Sequence, residues 1–216
     1  MARKQSYKRQ RSPILLLVCE GRNKTERKYF SHYKVRELPY RLEIRDSEAT
    51  DVMGMARRAA NLYKEYQMDP EIGDLVFYLI DLDLRHDKYD AYLKAKQKYP
   101  QVRFIVSNPC FEIWLLYYFT ENPKTESSSQ AVKEQMKRYV PAYNEAMDVY
   151  DQCDLEDKYA VAINRSEKKN AFYEEDKILV ERNPYTEVQD LILILKQHYQ
   201  DKQLIYFFST LRLFKF

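Results

Sequence analysis

The sequence predicts an α/β fold in which a parallel sheet is flanked by helices, followed by a mostly helical C-terminal part. Three observations support this prediction. Continuous apolar runs recur along the first 120 residues, and they alternate with segments whose apolar residues recur at helical spacing. The runs are uninterrupted, as in strands buried on both faces of a parallel sheet. The alternation of strand and helix favours parallel connections with helices on both faces.

Four segments are predicted to form the strands of this sheet. Residues 14–19, 75–80 and 102–106 are apolar and are expected to be buried, whereas residues 41–46 alternate apolar and charged side chains and indicate a more exposed strand. The carboxyl ends of parallel strands lie at one edge of the sheet, where α/β proteins place their functional groups. Polar residues that follow these strands are therefore the first candidates for a site.

Helices are predicted between the strands and after the last one. Apolar residues recur at helical spacing in residues 24–38 and 51–67. Residues 88–99 have the pattern of a surface helix, and residues 110–119 are apolar enough for a buried one. The polar segment 121–129 has no such pattern and is predicted to be a loop.

The chain is expected to have three parts. Residues 1–12 are basic without a single acid, which indicates a disordered basic arm. Residues 13–120 form the α/β domain, and residues 121–216 form a mainly helical region packed on it. Within this region Asn183 is predicted to cap a helix that has Pro184 at its first position. One face of that helix would comprise Val188, Leu191, Ile192, Leu195 and Tyr199.

The composition narrows the class of protein. With 45% apolar and 32% charged residues, the chain can bury a core beneath a polar surface. No apolar run is long enough to span a bilayer and no secretory leader is recognised, so we expect a cytoplasmic protein without a membrane partner. The net charge of +3 is too small to indicate a nucleic-acid-binding protein by itself.

Cysteine and glycine usage exclude several kinds of site. The three cysteines, Cys19, Cys110 and Cys153, are odd in number and far apart, which excludes a disulfide framework and a zinc ribbon. Cys19 and Cys110 are interpreted as core thiols, because neither has an evident base beside it. Only three glycines occur, so a glycine-rich nucleotide loop is not expected.

Three carboxylates follow apolar strands. Glu20 follows the run 14–19, and Asp81 and Asp83 follow the run 75–80. Side chains alternate along a strand, so the two aspartates share a face if the strand continues through both. If the two strands are neighbours, the three acids converge at one edge of the sheet.

Such a cluster predicts a site for a divalent cation. Close carboxylates raise each other's pKa by repulsion, and a cation removes that repulsion. Mg²⁺, or Mn²⁺ in its place, prefers oxygen ligands and keeps waters that substrate phosphates can replace. Asp81 and Asp83 are assigned as metal ligands, and Glu20 as a metal ligand or general base. The alternative is that these acids only cap turns and helices.

Three further residues are candidates for the same site, each with a structural alternative. Glu26 either joins the metal or water ligands or stabilises the first turn of a helix. Asn108 either binds substrate or orients a carboxylate, or it forms a turn with Pro109. Glu112 lies among apolar residues, so it either reaches the site or pairs with a base from another helix.

Basic residues crowd the turn that follows Glu20. They are Arg22, Lys24, Arg27 and Lys28. Guanidinium and ammonium groups suit phosphate oxygens, so these residues are predicted to bind phosphate or nucleic acid beside the metal. The alternative is an ordinary solvated helix face.

With these residues identified, the chain resembles a TOPRIM domain, a parallel α/β domain that binds Mg²⁺ through a glutamate after its first strand and an Asp-x-Asp after a later one. Glu20, Asp81 and Asp83 match those elements. A narrower resemblance is to the RloB family of bacterial anti-phage defence proteins, associated with restriction and abortive-infection loci. It is carried by VCEGRNKTERKYF (18–30) and VSNPCFEIWLLYYF (106–119).

The resemblance implies a metal-dependent nuclease whose partner is a nucleic acid. RNA is favoured over DNA as this partner, and tRNA is one such RNA. A defence-system protein and a second copy of the chain are further expected partners. The sequence departs from the family near the end of the Trp-Leu-Leu helix, where a histidine is usual and Tyr117, Tyr118 and Phe119 occur here. His86 is also displaced from its usual place after Asp-x-Asp.

Two other functions are compatible with the same residues. The α/β half can be a non-catalytic binding or sensing module that acts through a partner. Asp81-Leu82-Asp83 after an apolar strand is also similar to haloacid-dehalogenase-like phosphotransfer enzymes, in which Asp81 would be the nucleophile. Against this reading, that motif belongs on the first strand, and Arg85 occupies a place where that family has Thr or Val.

Overall fold

A five-stranded sheet forms the centre of the protein. The computed structural model describes residues 11–20, 25–35, 38–47 and 49–197. The strands are β1 (Ile14–Glu20), β2 (Arg41–Ser47), β3 (Leu75–Asp81), β4 (Val102–Asn108) and β5 (Tyr185–Thr186). Their order across the sheet is β2-β1-β3-β4-β5, with the first four parallel and β5 antiparallel to β4. This confirms the predicted α/β class.

Helices cover both faces of the sheet. They are α1 (Thr25–Ser31), α2 (Val52–Glu65), α3 (His86–Lys98), α4 (Glu112–Phe119), α5 (Ser129–Lys137), α6 (Val149–Gln152), α7 (Tyr159–Asn170) and α8 (188–197). One face, which we call the α1 face, packs against α1 and α4 to α8. The other, the α2 face, packs against α2 and α3. None of the described helices is long and apolar enough to cross a bilayer.

Strict alternation along the strands builds the two cores. On β1, Leu17 and Cys19 belong to the core of the α1 face, whereas Val18 belongs to that of the α2 face. On β3, Leu79 faces α1 and Tyr78 faces α2. Because both of their faces are buried, β1 and β3 are apolar up to their terminal acids, which explains why their sequences are continuous apolar runs.

The predicted strands are confirmed to within two residues at each end, and β1 and β3 are neighbours as the site hypothesis requires. The predicted helix 24–38 is wrong in length, because α1 ends at Ser31 and the next residues form turns with three-residue spacing. In these turns the amide of Tyr33 donates to the carbonyl of Phe30, at 3.1 Å.

The prediction that Asn183 caps a helix with Pro184 at its first position is wrong. The peptide bond between these residues is cis, and the chain then runs extended as β5, which pairs with β4. Helix α8 begins only at residue 188, where the Val188 amide donates to the Thr186 hydroxyl at 3.2 Å. A proline in a turn before a strand looks the same in sequence as one in a first helical turn.

The apolar face expected for this helix is nevertheless present. Val188, Leu191, Ile192 and Leu195 are buried against the α1 face of the sheet, which confirms the helical spacing. Tyr199, residues 1–10 of the basic arm and the apolar terminus lie outside the described residues. Helices α5 to α8 share one core cluster with the sheet.

Candidate active site

The strand order places one crevice at the carboxyl edge of the sheet. From β1 the chain continues to β2 on one side, and it then crosses to β3 on the other side. The loops after β1 and β3 therefore diverge to opposite faces, and the gap between them is the usual ligand site of an open α/β sheet. Glu20 and Asp81 are the last residues of these two strands.

Glu20 and Asp81 leave this edge on opposite faces. Alternation places Glu20 with Val18 on the α2 face and Asp81 with Leu79 on the α1 face. Burial first, and then the charges of Glu20 and Asp81, raise the pKa of Tyr78 well above its ordinary value. The charges of both acids thus act on Tyr78 of β3, although the two carboxylate side chains point to opposite faces of the sheet.

Asp81 is the most perturbed carboxyl at the edge. Burial is the main cause that raises its pKa, and the charges of Glu26, Glu112 and Asp83 add to it, whereas Lys88 opposes the rise. No described residue donates a hydrogen bond to the Asp81 carboxylate or forms an ion pair with it. The nearby Lys88 ammonium contacts Asp81 only at its backbone carbonyl oxygen. A carboxylate in such surroundings is unfavourable unless it binds a proton or a cation.

Asp83 lies beside Asp81 but not on the strand. The condition under which the two aspartates would share a face is not met, because β3 ends at Asp81 and Asp83 has a positive φ of 52°. Its carboxylate accepts a hydrogen bond from the Ser129 hydroxyl and forms an ion pair with Lys88, with 2.5 Å between Nζ and Oδ2. The Lys88 ammonium also donates to the Asp81 carbonyl at 3.1 Å. The left-handed turn therefore brings Asp83 to helices α3 and α5.

The turn after β4 holds this aspartate loop in place. The Asp83 amide donates to the Pro109 carbonyl at 2.9 Å, and the Leu84 amide donates to Asn108 Oδ1 at 3.0 Å. Asn108 is fully buried, and its amide nitrogen also bridges to the segment before β5. That nitrogen donates to the carbonyls of Leu179, Val180 and Arg182. Asn108 thus positions the aspartate loop, and both ends of its amide already have protein partners.

Glu112 reaches the same site from α4. It is 3% exposed, and its Oε1 accepts a hydrogen bond of 2.6 Å from the Tyr143 hydroxyl. Burial and then the charge of Glu112 raise the pKa of Tyr143 well above its ordinary value, so this hydroxyl keeps its proton. Tyr143 also lies 3.2 Å from the Thr25 hydroxyl, at the start of α1. The partner of Glu112 is thus a loop tyrosine and not the base from another helix that was the structural alternative, and the charge of Glu112 acts on Asp81.

Two of the four predicted phosphate-binding residues have partners within the fold. Arg27 forms an ion pair with Asp46, and the Lys28 ammonium donates to the Ala146 carbonyl. Arg22 and Lys24 lie outside the described residues. Sequence reasoning missed Lys88 and Lys133, the cations that act on the acidic cluster and its surroundings. Neither has a motif around it, and only the fold brings them to the edge.

Lys133, on α5, lies near Glu112 and Glu145. Burial lowers its pKa, but the hydrogen bond from its ammonium to Glu145 and the charge of Glu112 outweigh that effect and raise it overall. The ammonium is thus charged and partly offsets the charge of Glu112 on α4. Cys19 and Cys110 are buried, and burial raises the pKa of both thiols, which makes them poor nucleophiles.

The arrangement suits a hard divalent cation. The charges of Glu26, Glu112 and Asp83 act on Asp81, and Mg²⁺ and Mn²⁺ prefer carboxylate oxygens such as these acids offer. In the described part of the chain, these acids do not place three ligand oxygens within 4.8 Å of one another. Shared coordination of one ion therefore requires rotation of the carboxylate side chains.

Comparison with known proteins adds one match. A family model described as RloB-like protein matches residues 15–195, which include all of the sheet except Ile14, and α1 to α7. Searches of curated proteins and of solved structures returned no match.

Proposed function

The chain belongs to the RloB-like family, and we propose that it is a Mg²⁺- or Mn²⁺-dependent TOPRIM nuclease that cleaves phosphodiester bonds. Its substrate class is RNA, including tRNA, and its role is in bacterial anti-phage defence; both follow from the family resemblance. The observation that supports the chemistry is the Asp81 carboxylate, on which the charges of Glu26, Glu112 and Asp83 act and which forms no ion pair with the described residues.

A cation at this point would remove the repulsion that raises the pKa of Asp81. Asp81 and Asp83 would be its principal ligands, because they come from one short loop that Asn108 and Pro109 hold at the edge of the sheet. When bound, the metal would polarise a phosphoryl oxygen and stabilise the leaving oxygen. The protein itself would position the metal ligands, because hydrogen bonds to Asn108 and Pro109 already hold the loop that carries Asp83.

Glu26 is better placed than Glu20 to share a cation with Asp81. Its charge acts on Asp81 and on Cys19, both of which belong to the α1 face. Glu20 must instead reach around the end of β1 from the α2 face. We therefore assign Glu26 to the metal or to the orientation of the attacking water, and we keep Glu20 as the competing candidate for the same role.

Glu112 and Tyr143 complete the inner side of the site. The Tyr143 hydroxyl donates to one carboxylate oxygen of Glu112 and so fixes its orientation. Lys88, which is paired with Asp83, is the described cation best placed to contact a phosphate when a metal takes over the aspartate. The nuclease would thus combine an acidic pocket for metal with an adjacent ammonium for substrate.

The test is cleavage of labelled tRNA, single-stranded RNA and DNA with Mg²⁺, Mn²⁺ or a chelator. Asp81→Asn keeps the shape of the side chain and removes its charge, and Asp90→Asn, an exposed aspartate on α3, is the matched control. We expect cleavage by the wild type and the control only, and only with metal. Equal cleavage by Asp81→Asn would refute the mechanism, and binding of RNA without cleavage by any variant would favour the non-catalytic module.

A further inference from the structure

A second group of metal-ligating side chains joins the end of α1 to α6. Among the residues that the structure describes, His32, Asp148 and Asp151 each offer a ligand atom, and these atoms lie within 4.8 Å of one another. His32 Nε2 is 2.9 Å from Asp148 Oδ2, and His32 Nδ1 is 3.4 Å from Asp151 Oδ1. The histidine comes directly after α1, about 10 Å along the helix from the acidic cluster at the strand ends.

The group is held by contacts that do not depend on a metal. The imidazole of His32 stacks on the ring of Tyr150, with 4.5 Å between centroids and 8° between planes. Asp148 is the N-cap of α6 and accepts a hydrogen bond from the Asp151 amide at 3.4 Å. Asp148 and Asp151 are three positions apart, so they share one side of the helix. The three side chains therefore converge because of the backbone and the stacked ring.

We propose that His32, Asp148 and Asp151 bind a divalent transition-metal ion, with Zn²⁺ as the reference ion. One imidazole nitrogen and two carboxylates suit Zn²⁺, Mn²⁺ or Co²⁺, whereas the all-carboxylate pocket at the strand ends suits Mg²⁺. Zn²⁺ takes nitrogen and oxygen ligands at about 2.0–2.2 Å. Nε2 and Asp148 are already adjacent, and Asp151, with a side chain 71% exposed, can rotate to supply the third ligand. Water completes the coordination.

A metal ion can reach these three side chains from solvent while the protein core stays buried. The His32 side chain is 22% exposed and that of Asp148 is 39% exposed, so the site is shielded on the Tyr150 side and open on the other. A cavity of about 210 Å³ adjoins it, and its lining includes Glu156 and Lys196, whose charges oppose each other. A metal would occupy the place of any proton on Nε2, because a ligating imidazole nitrogen must be unprotonated.

A metal here would act as a clip between α1 and α6. Helix α1 carries Glu26, which acts on Asp81, so the clip would fix the helix that supplies this acid. Without metal, the same side chains form an ion pair that is present only when His32 is protonated. The clip is therefore a structural site, and its existence does not depend on nuclease activity.

The experiment is titration of untagged, metal-stripped protein with Zn²⁺ by calorimetry, and with Co²⁺ by visible absorption, at pH 7.5. We expect one equivalent to bind with micromolar affinity, Tm to rise by about 5 °C or more, and 10 mM Mg²⁺ not to compete. His32→Asn should weaken binding at least about tenfold. His86→Asn, an exposed histidine at the start of α3, is the matched control and should bind as the wild type does.

Two further variants keep the test independent of folding and of the proposed nuclease. Asp151→Asn alters the most exposed ligand, so it should weaken Zn²⁺ binding while leaving the circular dichroism spectrum unchanged. Asp81→Asn should retain Zn²⁺ binding, whether or not cleavage is observed in any variant. Failure of the wild type to bind Zn²⁺ or Co²⁺, or equal binding by His32→Asn, would overturn the proposal.

Discussion

Glu20 and Asp81 end adjacent parallel strands but point to opposite faces of the sheet. The cause is the register of the two strands. Val18 pairs with Tyr78, and continuing this register places Glu20 beside Ile80 instead of Asp81. A difference of one residue changes the face to which a strand side chain points. The acid that shares the α1 face with Asp81 is Glu26, which is positioned by α1.

The first prediction concerns which glutamate serves the metal site. We expect Glu26→Gln to slow metal-dependent RNA cleavage by at least about 100-fold, because it removes a charge that acts directly on Asp81. Glu20→Gln should slow it less than about tenfold, since its carboxylate lies on the α2 face. Single-turnover cleavage rates at saturating enzyme separate the two. The reverse order of effects would assign the role to Glu20.

The sequence was sufficient to predict the strands, but it left the adjacency of β1 and β3 as a condition and did not predict the arrangement of the acids. The runs 14–19 and 75–80 are apolar on both faces, so neither shows which face its terminal carboxylate takes. The relative phase of Glu20 and Asp81 depends on register, which no local pattern contains. In the same way, nothing near Glu112 indicates that its hydrogen-bond partner is Tyr143, from a loop 31 residues later.

The short elements were beyond prediction for a different reason. Strand β5 has only two residues, Tyr185 and Thr186, which is too few for any periodicity. It forms because its backbone completes the edge of β4, a tertiary interaction. The sequence left open whether the strand continues through Asp83, and the hydrogen bonds of the next turn, from the amides of Asp83 and Leu84, end it earlier.

The second prediction is that Asp81→Asn stabilises the protein at neutral pH in the absence of metal. Folding raises the pKa of Asp81, so the folded state holds this proton more tightly than the unfolded state does. Stability from this group is therefore greatest below the unfolded pKa of about 3.9 and is lost as the pH rises through the folded pKa. Asparagine is neutral at every pH and avoids that loss.

We expect the Tm of Asp81→Asn to exceed that of the wild type by about 3 °C at pH 7, which corresponds to about 1 kcal/mol for a chain of this size. The difference should shrink as the pH falls to about 3, where Asp81 is mostly protonated in both states. Mg²⁺ should raise the Tm of the wild type and leave the variant nearly unchanged. A variant that is less stable than the wild type at pH 7 would show that the ionised Asp81 carboxylate does not destabilise the folded protein.

The third prediction concerns Lys88, which competes with a metal for Asp83. Its ammonium is 2.5 Å from Asp83 Oδ2 and also contacts the Asp81 carbonyl. Lys88→Met removes this cation and retains the length of the side chain. We expect Mn²⁺ to bind about tenfold more tightly, a gain of about 1.4 kcal/mol, as measured by calorimetry. RNA affinity should fall, because an ammonium close to the phosphate is lost.

Lys94→Met, on the exposed side of the same helix, is the control and should change neither affinity. The two readouts distinguish a role in electrostatics from one in folding. If Lys88 only stabilises the loop, the variant lowers Tm, and Mn²⁺ binds no more tightly than it does to the wild type. Tighter Mn²⁺ binding together with unchanged RNA affinity would show that Lys88 competes with the metal for Asp83 but does not contact phosphate.

The fourth prediction concerns Asn108, which we assign a positioning role. Its amide accepts from the Leu84 backbone and donates to the segment before β5, so it connects the aspartate loop to the far edge of the sheet. Asn108→Ala leaves these buried groups without partners, and each costs about 1–3 kcal/mol. We expect a loss of about 3 kcal/mol in the free energy of unfolding, measured by urea denaturation.

A comparison with Asn108→Asp separates positioning from stability. The aspartate retains an acceptor for the Leu84 amide, but it cannot donate to the carbonyls of Leu179, Val180 and Arg182. If Asn108 acts by holding the aspartate loop, Mn²⁺ affinity falls in the alanine variant and is partly restored in the aspartate variant, even though both are less stable than the wild type. Equal loss of Mn²⁺ affinity in both variants would assign Asn108 to the stability of the sheet edge alone, because only the hydrogen bond to Leu84 reaches the loop that carries Asp83.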